Sequence, residues 1–103
     1  MSYKPNPALE SILKEKLKTA LVDSAEILEN KVKNNAPVKT GALRKSIATS
    51  TEDLNNLSVR VGTDIKYAPF VEFGTFKQSA NPFFRSAVKE SKNKMLAKFR
   101  NII

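Results

Sequence analysis

The chain has 103 residues, a net charge of +8 and no Cys, His or Trp. Thiol chemistry, disulfides, thiolate ligands and imidazole bases are therefore excluded, and the length suits one domain. No run of about 18 apolar residues exists to span a membrane, and Met1–Pro5 lacks the apolar core of a signal peptide, so the reading is a protein made and kept in a cytoplasm.

Residues 1–7, with Pro5 and Pro7, read as a flexible arm. From Ala8 to Asn34 the pattern is helical: Leu9, Leu13, Leu17, Leu21, Leu28 and Val32 recur at steps of three or four, with Ile12, Ala20, Ser24 and Ala25 filling the same side. Glu10–Lys14 and Glu29–Lys33 are i,i+4 pairs in the favourable order. A helix this long spans about 40 Å, against a diameter of about 34 Å for a compact chain of this size. One end should overhang, and its apolar stripe, Leu9, Leu13 and Leu17, is a candidate interface. A break near Asp23-Ser24 is the alternative.

Pro37 ends the helix by disfavouring helical geometry at Ala36. Thr40 is a good N-cap for a short segment that presents Leu43 and Ile47 on one side. Residues 47–52 are β-prone, residues 53–56 form a turn, and Leu57–Val61 alternates apolar and polar residues, so the two runs predict an antiparallel hairpin. Gly62-Thr63-Asp64 breaks it.

The next stretch, Tyr67–Phe76, holds four of the eight aromatics, Tyr67, Phe70, Phe73 and Phe76, every third residue. A helical turn places them roughly on one face, able to nucleate a core or an interface. Pro69 suits the first turn, and Gly74 sits where helices end in left-handed geometry. Glu72 is a lone carboxylate among rings: it either faces water or makes a fixed ion pair or backbone bond that locks the turn. Lys77–Ala80 is a polar loop. Asn81 then caps a last helix with Pro82 at its first position, whose stripe of Phe84, Ala87, Val88, Ser91, Met95, Phe99 and Ile102 makes Phe84 a core residue. Arg85, Lys89, Lys92 and Arg100 cluster along another side and are candidate DNA-facing cations.

Charge is uneven. Residues 31–45 carry five cations and no acid, and residues 77–103 carry seven cations against Glu90. Blocks of this kind favour a polyanion or an acidic protein partner. No enzyme is read here: Ser and Thr lack a strained elbow or triad partner. Glu52, Asp53 and Asp64 come with no calcium-loop spacing or zinc set, and three scattered glycines make no phosphate loop. No cofactor or metal is expected.

Three segments in order, Ala36-Pro-Val-Lys-Thr-Gly-Ala-Leu-Arg-Lys-Ser-Ile47, Tyr67-Ala-Pro-Phe-Val-Glu-Phe-Gly-Thr75 and Asn81-Pro-Phe-Phe-Arg-Ser-Ala87, resemble the head–tail joining and tail-completion proteins of long-tailed double-stranded-DNA phages, typified by gene product ten of the Hong Kong phage type. The resemblance covers roughly residues 9–100, with a short segment between Gly74 and Pro82. It implies a small virion protein, assembled in the bacterial host cytoplasm, whose copies form a ring at the neck or tail end alongside other neck and tail proteins, with double-stranded DNA passing non-specifically. It marks Pro37, Thr40, Gly41, Leu43, Ser46, Tyr67, Glu72, Gly74, Pro82, Phe83 and Phe84 as structural-motif residues. The expected fold is α+β: a long N-terminal helix, a small antiparallel sheet, a short aromatic turn and a C-terminal helix packed on the sheet. The competing reading is a free basic nucleic-acid-binding module.

Overall fold

A computed structural model describes residues 6–37, 41–100 and 102. The first element, α1, runs unbroken from Pro7 to Asn35, with no break at Asp23-Ser24. Asn6 starts it: its side-chain oxygen accepts from the N–H groups of Ala8 (3.0 Å) and Leu9 (3.3 Å). Pro7 occupies the first turn, where its missing N–H costs nothing. Of the arm expected over residues 1–7, Asn6 and Pro7 belong to the helix and residues 1–5 lie outside the described residues. Of the two expected pairs, Glu29–Lys33 closes at 3.8 Å, whereas Glu10 and Lys14 make no ion pair among the described residues.

After α1 come α2 (Ala42–Ser46), β1 (Ala48–Ser50), a 3₁₀ turn (Leu54–Asn56), β2 (Arg60–Gly62), α3 (Ala68–Phe73) and α4 (Phe83–Ala97). The two strands pair antiparallel with Thr49 opposite Val61. The second strand starts three residues later than its alternation suggests, because Leu57 takes a positive φ of 58° to close the 3₁₀ turn. Gly62, expected to break the strand, is its last paired residue.

α1 is the common support. α4 packs chiefly along α1, rather than across the sheet as expected, and the hairpin lies against α1 as well. The pairing of α1 and α4 is antiparallel: Lys31 Nζ meets Glu90 at 2.8 Å, and Ser24 Oγ donates to the Met95 carbonyl at 3.3 Å. Small residues, Ala20, Ser24 and Ala25 on α1 and Ala87 and Ser91 on α4, are buried, which lets the two backbones approach closely. Nearer the C-terminal end of α1, Val32, Ala36, Leu43, Ile47, Ala68, Phe83 and Ala87 form one core, edged by Leu28, Val61, Ile65, Val71 and Phe84.

With everything gathered toward one end of a 29-residue helix, the molecule is elongated, 62 × 24 × 21 Å. Its radius of gyration is 17.4 Å, against about 13 Å for a compact chain of this length. The first turns of α1 stand clear, with Leu9 and Ile12 more than half exposed. Leu13 and Leu17, further in, are half-buried.

The stripe expected on the last helix holds at Ala87 and Ser91, which are buried, and at Met95, which is half-buried, but its first member is Phe83 rather than Phe84. Phe83 is 2% exposed and sits in the core, while Phe84 borders it half-buried and Val88 is exposed. Phe83→Ala is therefore expected to cost about 3–5 kcal/mol and Phe84→Ala distinctly less, as read in a denaturant melt. An equal or reversed order of the two would overturn this placement.

Candidate functional site

The short helix α3 reverses the usual distribution of polar and apolar side chains. It buries Ala68 and Glu72 and turns Tyr67, Phe70 and Phe73 to solvent, with Phe76 following at the tip of the next turn. These four rings are between 43% and 96% exposed. Of the two uses the aromatic spacing allows, core or interface, the core is filled by other residues.

Glu72 is held by a complete set of donors. Its Oε1 accepts the Phe84 N–H at 2.8 Å. Its Oε2 accepts the Arg85 N–H at 3.1 Å and Arg85 Nε at 2.7 Å. The carboxylate thus caps the first turn of α4 from outside that helix, where orphan N–H groups and the helix dipole both favour an anion. Arg85 also reaches back with Nη2 to the Glu72 carbonyl at 2.9 Å, and its guanidinium lies 4.7 Å from the centre of the Phe73 ring. Asn81, expected as the cap, makes no side-chain cap bond. Its backbone instead joins the two helices, N–H to the Val71 carbonyl at 2.8 Å and carbonyl to the Phe83 N–H at 2.7 Å. Pro82 stands one residue before α4 rather than inside it.

The two glycines singled out by sequence have different tasks. Gly41 takes a φ of +74° just before α2, with open space where a Cβ would be. Its handedness, not close approach, is what requires glycine there. Gly74 has φ +77° and ψ 176°, a region open essentially to glycine alone and distinct from the expected left-handed helical cap. A Cβ on Gly74 would also meet the Ala80 backbone nitrogen at 2.7 Å. This glycine lets the turn fold back tightly, with Thr75 and Gln78 exchanging backbone bonds of 2.9 and 3.2 Å and Phe76 at its apex.

The first motif is a bracket between α1 and the sheet. Ala36 is extended and Pro37 half-buried. Thr40 lies outside the described residues. Leu43 is in the core. Ser46 Oγ donates to the Leu43 carbonyl at 2.7 Å and pairs with the Thr63 hydroxyl, which accepts the Ile65 N–H at 3.1 Å. Sequence reading missed Arg44: its Nε donates to the Lys33 carbonyl at 2.9 Å, placing a cation at the C-terminal end of α1. A cation just after a proline-terminated helix was the available signal.

Among the four cations assigned to one face, Arg85 is committed to Glu72. Lys89, Lys92 and Arg100 are exposed and make no ion pair among the described residues. No carboxylate cluster able to hold a metal is found among the described residues, and no helix there is long and apolar enough to cross a membrane.

Burial by itself would raise the Glu72 carboxyl, but the Arg85 side chain and the backbone N–H groups of Phe84 and Arg85 outweigh it, so the group lies below its ordinary value. A carboxyl lowered on folding stabilises the native state above its unfolded value, about 4.3. That contribution disappears as pH falls through the folded value. Stability is thus expected to fall with acidification below pH about 4, and Glu72→Gln, costing about 1–3 kcal/mol at neutral pH, should flatten this limb. Denaturant melts across pH check it, and an unchanged acid limb in the variant would refute the assignment.

A family model described as "Bacteriophage HK97-gp10, putative tail-component" matches residues 8–74. The matched span takes in α1, the Pro37–Ile47 segment, the hairpin and α3, and stops before α4. No curated protein matches the chain, and no solved structure matches it. With about two thirds of its length in the match, the chain belongs to the HK97 gp10-like family of phage tail components.

Proposed function

We propose that this chain, acting as one domain, is a tail-completion subunit whose copies close into a ring at the neck or tail end of the virion. The observation that supports this reading is the outward-facing aromatic surface of α3. A monomer has little reason to bury a carboxylate and expose four rings in one short segment, and exposed large apolar side chains gathered in this way suit an interaction site. The exposed stripe at the start of α1 supplies a second surface at the opposite end. Two unlike surfaces on one subunit suit a head-to-tail contact, which closes into a ring when the rotation permits. The partners are other copies and neighbouring tail proteins, and the role is architectural rather than catalytic.

Substituting the α1 stripe separates assembly from folding. Leu9→Asp with Ile12→Asp is expected to cost under about 1 kcal/mol, since both side chains already meet water, and to abolish ring formation or tail completion. Leu28→Asp, beside the core, is expected to unfold the subunit by burying a charge. Thermal melting beside a sizing and virion-joining assay reads both. Severe unfolding by the Leu9/Ile12 pair, or normal assembly, would overturn this reading.

DNA passing through such a ring would meet distributed cations rather than a base-reading element. Changing Lys89, Lys92 and Arg100 together to Gln is expected to leave melting nearly unchanged while weakening DNA retention. The isolated protein should bind DNA weakly, independently of sequence and with steep salt dependence. Arg85 is excluded from this variant because its side chain is bonded to Glu72. A footprint at one defined sequence would favour the free nucleic-acid-binding module instead.

A further inference from the structure

The segment between Ile65 and Phe83 is pinned at both ends and lightly held between them. At the front, the Thr63 hydroxyl accepts the Ile65 N–H at 3.1 Å while pairing with Ser46, and Ile65 packs against the core. At the back, Phe83 lies in the core. Of residues 66–81 only Ala68 and Glu72 are buried, with Val71 and Gly74 half-buried. The apolar attachment of this stretch is therefore little more than one alanine methyl and part of a valine. The side-chain hydrogen bonds that tie it to α4 are those of Glu72 and Arg85.

The other bonds of the segment are local. The Gly74 N–H donates to the Phe70 carbonyl at 2.9 Å, and the Asn81 N–H to the Val71 carbonyl at 2.8 Å. A helix of six residues does not persist alone, so releasing Glu72 unwinds α3 with it. What stays behind, α1 with α4 and the hairpin, keeps Val32, Leu43, Ile47, Phe83 and Ala87 packed together. Stretches with few buried apolar groups open at lower free energy than the core they lie on. We propose that residues 66–81 form a strap that opens independently of α1, α4 and the hairpin, with Glu72 as its latch. Tyr67, Phe70, Phe73 and Phe76 all sit on the strap, so the aromatic surface is ordered only while the latch is closed. A partner that grips those rings binds the closed strap and holds it shut. The opening itself stands whether or not the copies form a ring.

Native-state hydrogen exchange of the isolated full chain, resolved by residue across low denaturant concentrations, tests it. The expected result is that the Val71, Gly74 and Asn81 amides exchange through an opening nearly independent of denaturant, while those of Val32, Ala87 and Ser91 follow the steep dependence of global unfolding. Glu72→Gln is expected to speed exchange at the three strap amides by about tenfold or more beyond any change at Ala87 and Ser91. Strap amides that share the denaturant dependence of Val32 and Ala87 in the unaltered chain overturn the independent opening. Equal acceleration of strap and α4 in Glu72→Gln overturns the latch. A Glu72→Gln chain that unfolds as a whole overturns it as well, because losing the latch of an independent strap leaves the rest folded.

Discussion

The Glu72 carboxylate is the contact on which the far half of the molecule depends. A two-stranded hairpin of three-residue strands has little independent stability, and a six-residue helix such as α3 has less. The hairpin is held by lying against α1. For α3, Glu72 supplies the anchor by ending α4's orphan N–H groups and binding Arg85 in the same act, so α3 and α4 are oriented together. The geometry also explains why the rings of α3 face outward: once Glu72 and Ala68 must point inward, the helical repeat sends Phe70 and Phe73 to the opposite side.

Reading the chain in order gave the helices and the hairpin, because α1 and α4 have strong three-to-four periodicity and the strands are bracketed by Asp53–Asn56 and Gly62. The shift from Phe84 to Phe83 came from two adjacent phenylalanines, which periodicity alone cannot order; the external cap on α4 fixes the phase. Asn6 as a cap was obscured by the prolines around it, although Asn followed by Pro is itself a helix-start pattern.

The site was legible only in outline. An acid among aromatics signalled a bonded Glu72, but its donors lie twelve and thirteen residues ahead, beyond any local pattern. The same blindness counted Arg85 among the exposed cations of α4, because its spacing matches theirs while its partner belongs to another element. Gly41 and Gly74 were recognisable as special, yet which one serves handedness and which serves close approach depends on what lies across from them, Ala80 in one case and open space in the other.

The unbroken course of α1 has a mechanical consequence. A helix with no proline past its first turn and no glycine to bend it behaves as a ruler, and this one carries an apolar stripe at its start and braces the core near its end. The separation of those two regions is therefore fixed by residue count, at about 1.5 Å per residue. Inserting or deleting one residue in the middle would alter the span by little more than an ångström but would swing one end by about 100° relative to the other. For such a subunit, angular register along the rod is the tighter tolerance, and its middle turns are constrained in length even where no side chain touches a partner.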